Sequence, residues 1–193
     1  MATRPPSQSE EHVAMTTTER TADTWVSAET LWAISKFLID EAELLDQWRY
    51  SDWARCITDD FRYEVPIPIT RDDPTRGAYA DKGFVAIETR SSLEYWFRRH
   101  DPGLFEYAWG ENPLQRVNRF LTNIRATQTP GEGVVRVSAK ELVSFSRQSD
   151  PAVLITADRD DVLVPNGDSW LLAHRRVRLH QTVLDTPHLR IIF

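Results

Sequence analysis

The second half of the chain is dominated by apolar residues that recur at every second position. Segments 114–127, 133–148, 152–164 and 168–184 show this period, and short stretches rich in Gly, Pro, Asn and Asp separate them. A period of two places successive side chains on opposite faces of an extended strand. Short polar turns join antiparallel neighbours. The sequence therefore predicts four consecutive strands in an antiparallel meander.

Two of these segments indicate which side chains should face a core. In the second segment the apolar side is interrupted by Glu141 and otherwise comprises Val135, Val137, Ala139, Val143 and Phe145. In the fourth segment the apolar side is predicted to comprise Leu171, Ala173, Val177, Leu179 and Val183. The opposite, polar side carries His174, Arg176, Arg178 and His180, and we also assign Arg175 and Arg190 to an arginine-rich polar surface.

The first half of the chain predicts helices and one short strand. Ser27 can cap a helix over about 28–49, in which apolar residues recur at steps of three and four. Its polar face should carry Glu41, Glu43, Asp46 and Gln47. A helical turn after Ser51, a short edge strand over 61–67 ended by prolines, and a second helix over about 82–99 follow.

These elements define the expected domain organisation. Residues 1–22 are poor in apolar side chains, too poor to offset the entropy of ordering them, so we expect a disordered or partner-ordered arm. Residues 23–193 should form a single domain. Helices followed by a long-stranded sheet predict an α+β fold with the helices on the concave face of a curved, mainly antiparallel sheet.

Composition narrows the classes of partner. The formal net charge is −6, whereas nucleic acids and anionic membranes favour basic surfaces. Cys56 is the single cysteine, so neither an intrachain disulfide nor a thiolate metal cluster can form. No apolar run approaches the length of a membrane span. We therefore expect a cytoplasmic protein that binds neither nucleic acid nor membrane.

Candidate catalytic groups are sparse. A Rieske cluster requires two cysteines, and this sequence has only Cys56, so it cannot hold one. A single metal ion shared by His174 and His180 is also excluded, because the two side chains would lie about 20 Å apart along one strand. We expect Cys56 to be an inert core thiol. An acid–base pair inside a cone of helices and sheet stays open as an alternative, with candidates Asp46, Tyr63, His100 and His174. A small-molecule binding module is the third possibility.

Several short motifs, taken together in order and spacing, resemble the small (beta) subunit of aromatic-ring-hydroxylating dioxygenases. Residues 41–46 (EAELLD) match its "E-A-x-L-L-D" helix, and residues 53–66 match "W-x-x-x-x-x-x-D-x-x-Y-x-x-P". Residues 109–125 follow its "W, acid, x, P, x, x, R" run and the later "N-x-R". Residues 175–184 follow "R-R-x-x-L-x-Q-T-V-L", with His180 in place of a polar residue that is frequently aspartate. Residues 158–163 depart from its "G-R-R-x-D-x-L-R" strand.

This resemblance implies a fold, a set of partners and a role. The fold would be the cone-shaped type of nuclear transport factor 2 and scytalone dehydratase. The chain would be a non-catalytic structural subunit of an oxygenase for aromatic compounds, with no cofactor, metal or catalytic residue of its own. It would assemble with a large (alpha) subunit as a three-plus-three hexamer, and with its own copies as a trimer. The large subunit would hold a Rieske 2Fe-2S cluster and a mononuclear non-haem iron, receive NADH-derived electrons through a ferredoxin or reductase, and perform the cis-dihydroxylation.

The subunit-contact residues are the remaining prediction. Aromatic and arginine side chains dominate many association surfaces, and on that basis we expect contacts at Trp109, Arg116, Asn123, Arg176 and Arg178. The alternative is internal: the tryptophan would lie in the core, and the arginines would pair with Glu64, Glu141 or Asp185 across strands.

Overall fold

The computed structural model describes residues 23–100, 115–129, 131, 133–184, 186 and 191–193. Within these residues, seven strands form one sheet: β1 (Thr24–Trp25), β2 (Ile57–Pro68), β3 (Tyr79–Thr89), β4 (Arg116–Gln128), β5 (Val135–Ser146), β6 (Val153–Asn166) and β7 (Ser169–Leu179). The helices are α1 (Ala28–Asp46), α2 (Tyr50–Trp53) and α3 (Arg90–Phe97). Short 3-10 turns follow at Ala54–Cys56, Pro74–Arg76 and Arg98–His100. The expected arm at residues 1–22 lies outside the described residues.

The strand order is β1-β4-β5-β6-β7-β2-β3. Strands β4 to β7 pair with their sequence neighbours in antiparallel fashion, which confirms the predicted meander. The β2–β7 pair is parallel. Helix α1 packs across β4 and reaches β7, and α3 packs on β2 and β3. Helices on the inner face of the sheet give the α+β architecture that the sequence predicts.

Strand β2 is longer and more central than expected. It begins at Ile57 and pairs with β7 on one side and β3 on the other, so the prediction of a short edge strand was wrong. The prolines do not end the pairing: the β2–β3 register shifts at Pro66 and again before Pro68. A proline can be accommodated at such an irregularity because no ladder hydrogen bond from its nitrogen is required there.

The helix predicted over 82–99 is a strand followed by a shorter helix. The side chains of Thr89 and Ser92 form a reciprocal capping box that starts α3 at Arg90. Before this cap, β-branched Val85 and Ile87 favour the extended conformation of β3. Leu93 and Phe97 are buried, whereas Ile87 is exposed.

Helix α1 is close to its prediction. The Ser27 side chain accepts a hydrogen bond from the Thr30 main-chain N–H, and the helix ends at Asp46 rather than at 49. Trp48, beyond that end, has a positive φ of 59°, a conformation that cannot continue a right-handed helix. The buried face comprises Ile34, Leu38, Ala42 and Leu45, together with Glu41, which we had placed on the polar face.

The faces of β7 differ from the prediction because the strand contains a bulge. Val162 pairs with His174 and Leu163 pairs with Leu172, which leaves Ala173 as an extra residue. Before the bulge the alternation is therefore inverted, so that Leu172 is fully buried while Leu171 and Ala173 are partly exposed. After the bulge Val177 and Leu179 are buried as predicted. Val183, beyond the strand, is 83% exposed rather than inward.

None of the helices in the described part of the chain is long and apolar enough to cross a membrane.

Candidate functional site

The interior contains a cluster of four buried ionic side chains, Glu41, Arg159, Asp161 and Arg175, here called the interior ion cluster. Arg175, which we had assigned to the polar surface, is fully buried because its position after the bulge shares a face with Val177 and Leu179. Its guanidinium donates to both oxygens of Asp161 at 2.9 and 3.2 Å, and to both oxygens of Glu41 at 2.9 and 3.0 Å. This two-sided bidentate arrangement uses the planar fork of arginine fully.

Arg159 completes the interior ion cluster from β6. It donates to Asp161 at 2.8 Å and to Glu41 at 3.1 Å, and the indole N–H of Trp53 also donates to Glu41. Burial alone would raise the pKa of Glu41, but the charges of Arg175 and Arg159 outweigh it and lower that pKa to about 2. The four groups therefore form two balanced ion pairs.

Glu141 lies beside this cluster without joining it. Arg159 Nη1 is 3.6 Å from its Oε2 atom, and neither carboxylate oxygen has a hydrogen-bond partner among the described residues. Burial raises the pKa of Glu141, and the attraction of Arg159 only partly opposes this effect. The buried carboxyl group of Glu141 is therefore easier to protonate than that of an exposed glutamate.

The four proposed acid–base side chains do not form a pair. Asp46 accepts hydrogen bonds from the main-chain N–H and the guanidinium of Arg119. The Tyr63 hydroxyl accepts from the Phe193 N–H at 3.3 Å, and burial strongly raises its pKa. His174 lies on the opposite face of the sheet, 3.6 Å from Glu64. His100 is packed among aromatic rings, 4.9 Å from that of Tyr50.

Cys56 borders a groove of about 430 Å³ between α1 and the β6–β7 turn. Its thiol is half-buried, and burial raises its pKa, so the thiolate that reacts is disfavoured. Within the described part of the chain, no three His, Cys, Asp or Glu side chains are placed to hold a metal ion together.

Four of the five predicted contact residues lie on the outer face of the sheet, and Trp109 falls outside the described residues. Asn123 and Arg178 line one depression of about 190 Å³. Arg178 donates to Asp160, and Arg176 lies 4.0 Å from Glu64 on the neighbouring strand. This last pairing is the internal alternative that the sequence left open. Arg116 is exposed at the start of β4 and does not line this depression.

Three apolar side chains, Phe120, Leu142 and Leu154, form an outer apolar patch on the same face. Phe120 on β4 is directly opposite Leu142 on β5, and Leu154 on β6 is the diagonal neighbour of Leu142. Phe120 and Leu154 are each 55% exposed. Exposed apolar side chains rimmed by charged groups are typical of association surfaces.

Sequence reasoning missed Arg119, Arg159 and Asp161 as functional positions. A signal was present, because Arg159 and Asp161 fall in the same alternation as Ile155, Ala157 and Leu163. A charged residue in an inward position needs a buried partner. The partners come from the motif at residues 41–46, whose first and last residues, Glu41 and Asp46, bind Arg175 and Arg119 respectively.

Comparisons with known proteins agree with this geometry. Residues 40–186 match the family model described as the ring hydroxylating beta subunit. The chain is 31% identical over 179 residues to the 3-phenylpropionate/cinnamic acid dioxygenase subunit beta of Photorhabdus laumondii, covering 87% of this chain and 94% of that protein.

Two solved structures show the fold. A chain of naphthalene 1,2-dioxygenase with indole bound in the active site matches with a TM-score of 0.75 and 23% identity, covering 90% of each chain. A Novosphingobium aromaticivorans protein described as a scytalone dehydratase matches with a TM-score of 0.57 and 15% identity, covering 84% of this chain and 91% of that one. The predicted cone-shaped fold of the nuclear transport factor 2 and scytalone dehydratase type is therefore confirmed, and the chain belongs to the family of ring-hydroxylating dioxygenase beta subunits.

Proposed function

We propose that this chain is a non-catalytic structural subunit that assembles with an iron-bearing large subunit through the outer face of its sheet. The observation that carries the proposal is the combination on that face of the outer apolar patch with Arg116, Arg176 and Arg178. Apolar contacts supply affinity at an interface core, and arginines at the rim add directional hydrogen bonds.

The interior supports the same role. Apart from Glu141, its acidic and basic side chains in the described part of the chain are held by hydrogen bonds to one another or to main-chain groups, as the contacts of Arg175 and Arg119 illustrate. A general base needs access to a substrate proton. Groups that are already held in buried ion pairs serve to fix the helix on the sheet.

The metal centres are assigned to the large subunit on chemical grounds. A Rieske cluster takes two thiolates and two imidazoles, and this chain supplies one cysteine in total. The family resemblance implies that the large subunit would hold the cluster and the mononuclear iron, receive NADH-derived electrons through a ferredoxin or reductase, and hydroxylate the aromatic substrate in the cytoplasm. We propose three copies of each subunit, with self-association of this chain as a trimer.

Co-expression with the large subunit tests the assembly. The neighbouring reading frame should encode a chain with Cys-x-His and Cys-x-x-His motifs, and we expect the two chains to co-purify. Phe120→Asp or Leu154→Asp should reduce co-purification and oxygenase activity, because each places a charge in the outer apolar patch. Arg176→Ala and Arg178→Ala should weaken assembly less. Lys36→Ala, an exposed change on α1, is the matched control.

The readouts separate assembly from folding. Circular dichroism of each isolated variant should match that of the parent chain, since the changed side chains are exposed. A fully assembled and fully active oxygenase carrying Phe120→Asp, Leu154→Asp and Arg176→Ala together would contradict the proposed contact surface.

A further inference from the structure

Residues 191–193 are enclosed by the fold although they belong to no helix or strand. Ile191, Ile192 and Phe193 are 8%, 3% and 0% exposed. A buried irregular segment cannot satisfy its main-chain polar groups with water, so other protein groups must do so. The partners of these groups show how the segment is held.

Side chains from three different strands bind this segment. Arg119 on β4 donates to the Ile192 carbonyl oxygen from Nε at 3.0 Å and again from Nη2. Arg175 on β7 donates from Nη1 to the Phe193 main-chain oxygen at 2.8 Å. Tyr63 on β2 accepts from the Phe193 N–H. A binding site holds a small ligand in the same way, with a few convergent polar groups around an apolar body.

These polar groups have their own supports. Asp46 holds Arg119, and Glu41 with Asp161 holds Arg175. Because the segment is not needed to neutralise either guanidinium, both donors should keep their positions when it leaves. Preorganised donors of this kind favour binding, since little ordering has to accompany it.

We propose that the interior of the cone is a binding site for short apolar peptides that carry an aromatic residue, and that residues 191–193 occupy it as an intramolecular ligand. The two arginines recognise main-chain oxygens, Tyr63 recognises an amide N–H, and the enclosed space left by the Phe193 ring takes an aromatic group. The site is distinct from the outer face on which subunit assembly depends.

A chain that stops at Arg190 provides the direct test, with the peptide acetyl-Ile-Ile-Phe as the probe. We expect the peptide, at ten times its dissociation constant, to raise the Tm of the shortened chain by about 3–6 °C. It should not change the Tm of the full chain, whose site is occupied. Acetyl-Ile-Ile-Ser is the control peptide and should have a much smaller effect. Tyr63→Phe in the shortened chain should weaken binding of acetyl-Ile-Ile-Phe.

A second variant covers the case in which the shortened chain does not fold. Phe193→Ala in the full chain keeps the main-chain contacts and removes only the ring. Toluene should raise the Tm of this variant and leave that of the unchanged chain unaltered, because an apolar space enclosed by protein binds a ring of matching size. A folded shortened chain that ignores the peptide, or a Phe193→Ala chain that ignores toluene, would overturn the proposal.

Discussion

Arg175→Met is the change that most directly tests the interior ion cluster. Arg175 makes five hydrogen bonds, four of them to the carboxylate oxygens of Glu41 and Asp161 and one to the Phe193 main-chain oxygen. Methionine has a similar length but can donate none of them. Within the interior ion cluster, Arg159 alone would then face the two buried carboxylates of Glu41 and Asp161, leaving one negative charge uncompensated.

The expected loss is large. Removing one partner of a buried ion pair costs about 3–5 kcal/mol, a substantial part of the roughly 5–15 kcal/mol that stabilises a folded domain. For a chain of this size the corresponding fall in Tm is about 6–20 °C. Urea unfolding of the isolated chain, followed by circular dichroism at one fixed protein concentration, measures the free energy of unfolding directly.

Two controls make the result specific. Arg178→Met removes an arginine of the same strand whose side chain is 32% exposed and pairs with Asp160, so its cost should stay within about 1 kcal/mol. Adding Asp161→Leu to Arg175→Met restores charge balance, and the double variant should lose less stability than the two single changes summed. Equal losses for Arg175→Met and Arg178→Met would refute the reasoning.

Three further predictions concern single side chains. Burial raises the pKa of Glu141 above its ordinary 4.5, so its contribution to stability is present below about pH 4.5 and is lost as the pH rises through the folded-state value. The free energy of unfolding of Glu141→Gln, measured in urea, should therefore equal that of the parent chain at pH 4 and exceed it at pH 8. Parallel pH profiles for the two chains would count against this. Asn123 has a φ of 55°, so Asn123→Gly should keep the stability, whereas Asn123→Val should lower it by about 1–2 kcal/mol in the same assay. Because burial raises the pKa of Cys56, a chromogenic disulfide reagent at pH 8 should modify it more slowly in the folded chain than in urea; equal rates would show an accessible thiol.

The parts of the fold that the sequence predicts well are those in which one local pattern acts alone. Strands β5 and β6 alternate without a break in their inward positions over Val135–Ser146 and most of Val153–Asn166. The cap at Ser27 fixes the start of α1 in the same local way. In each case neighbouring residues determine the structure, so no knowledge of distant contacts is required.

The errors arise where distant contacts decide. Parallel pairing with β7 makes β2 a central strand, and no sequence pattern near residue 57 predicts this pairing. The bulge at Ala173 inverts the faces of β7 for the residues that precede it. Charge alone suggested a surface for Glu41 and Arg175, but each of them is the other's buried partner, 134 residues away in sequence. The outer positions of Arg116, Asn123, Arg176 and Arg178 carry no such constraint, and their role in contacts stays a prediction.

The distance in sequence between Glu41 and Arg175 also affects how the chain is made. A ribosome adds roughly 5–20 residues per second, so the 134 residues between them correspond to about 7–27 s of synthesis. During that interval α1 has no counter-ion from β7, and the parallel partner of β2 does not yet exist. The native sheet can therefore form only once β7 has been synthesised, with the high contact order that slows folding. Nascent chains would spend this time with their apolar helix face uncovered, and they should depend on chaperones more than a chain of local contacts would.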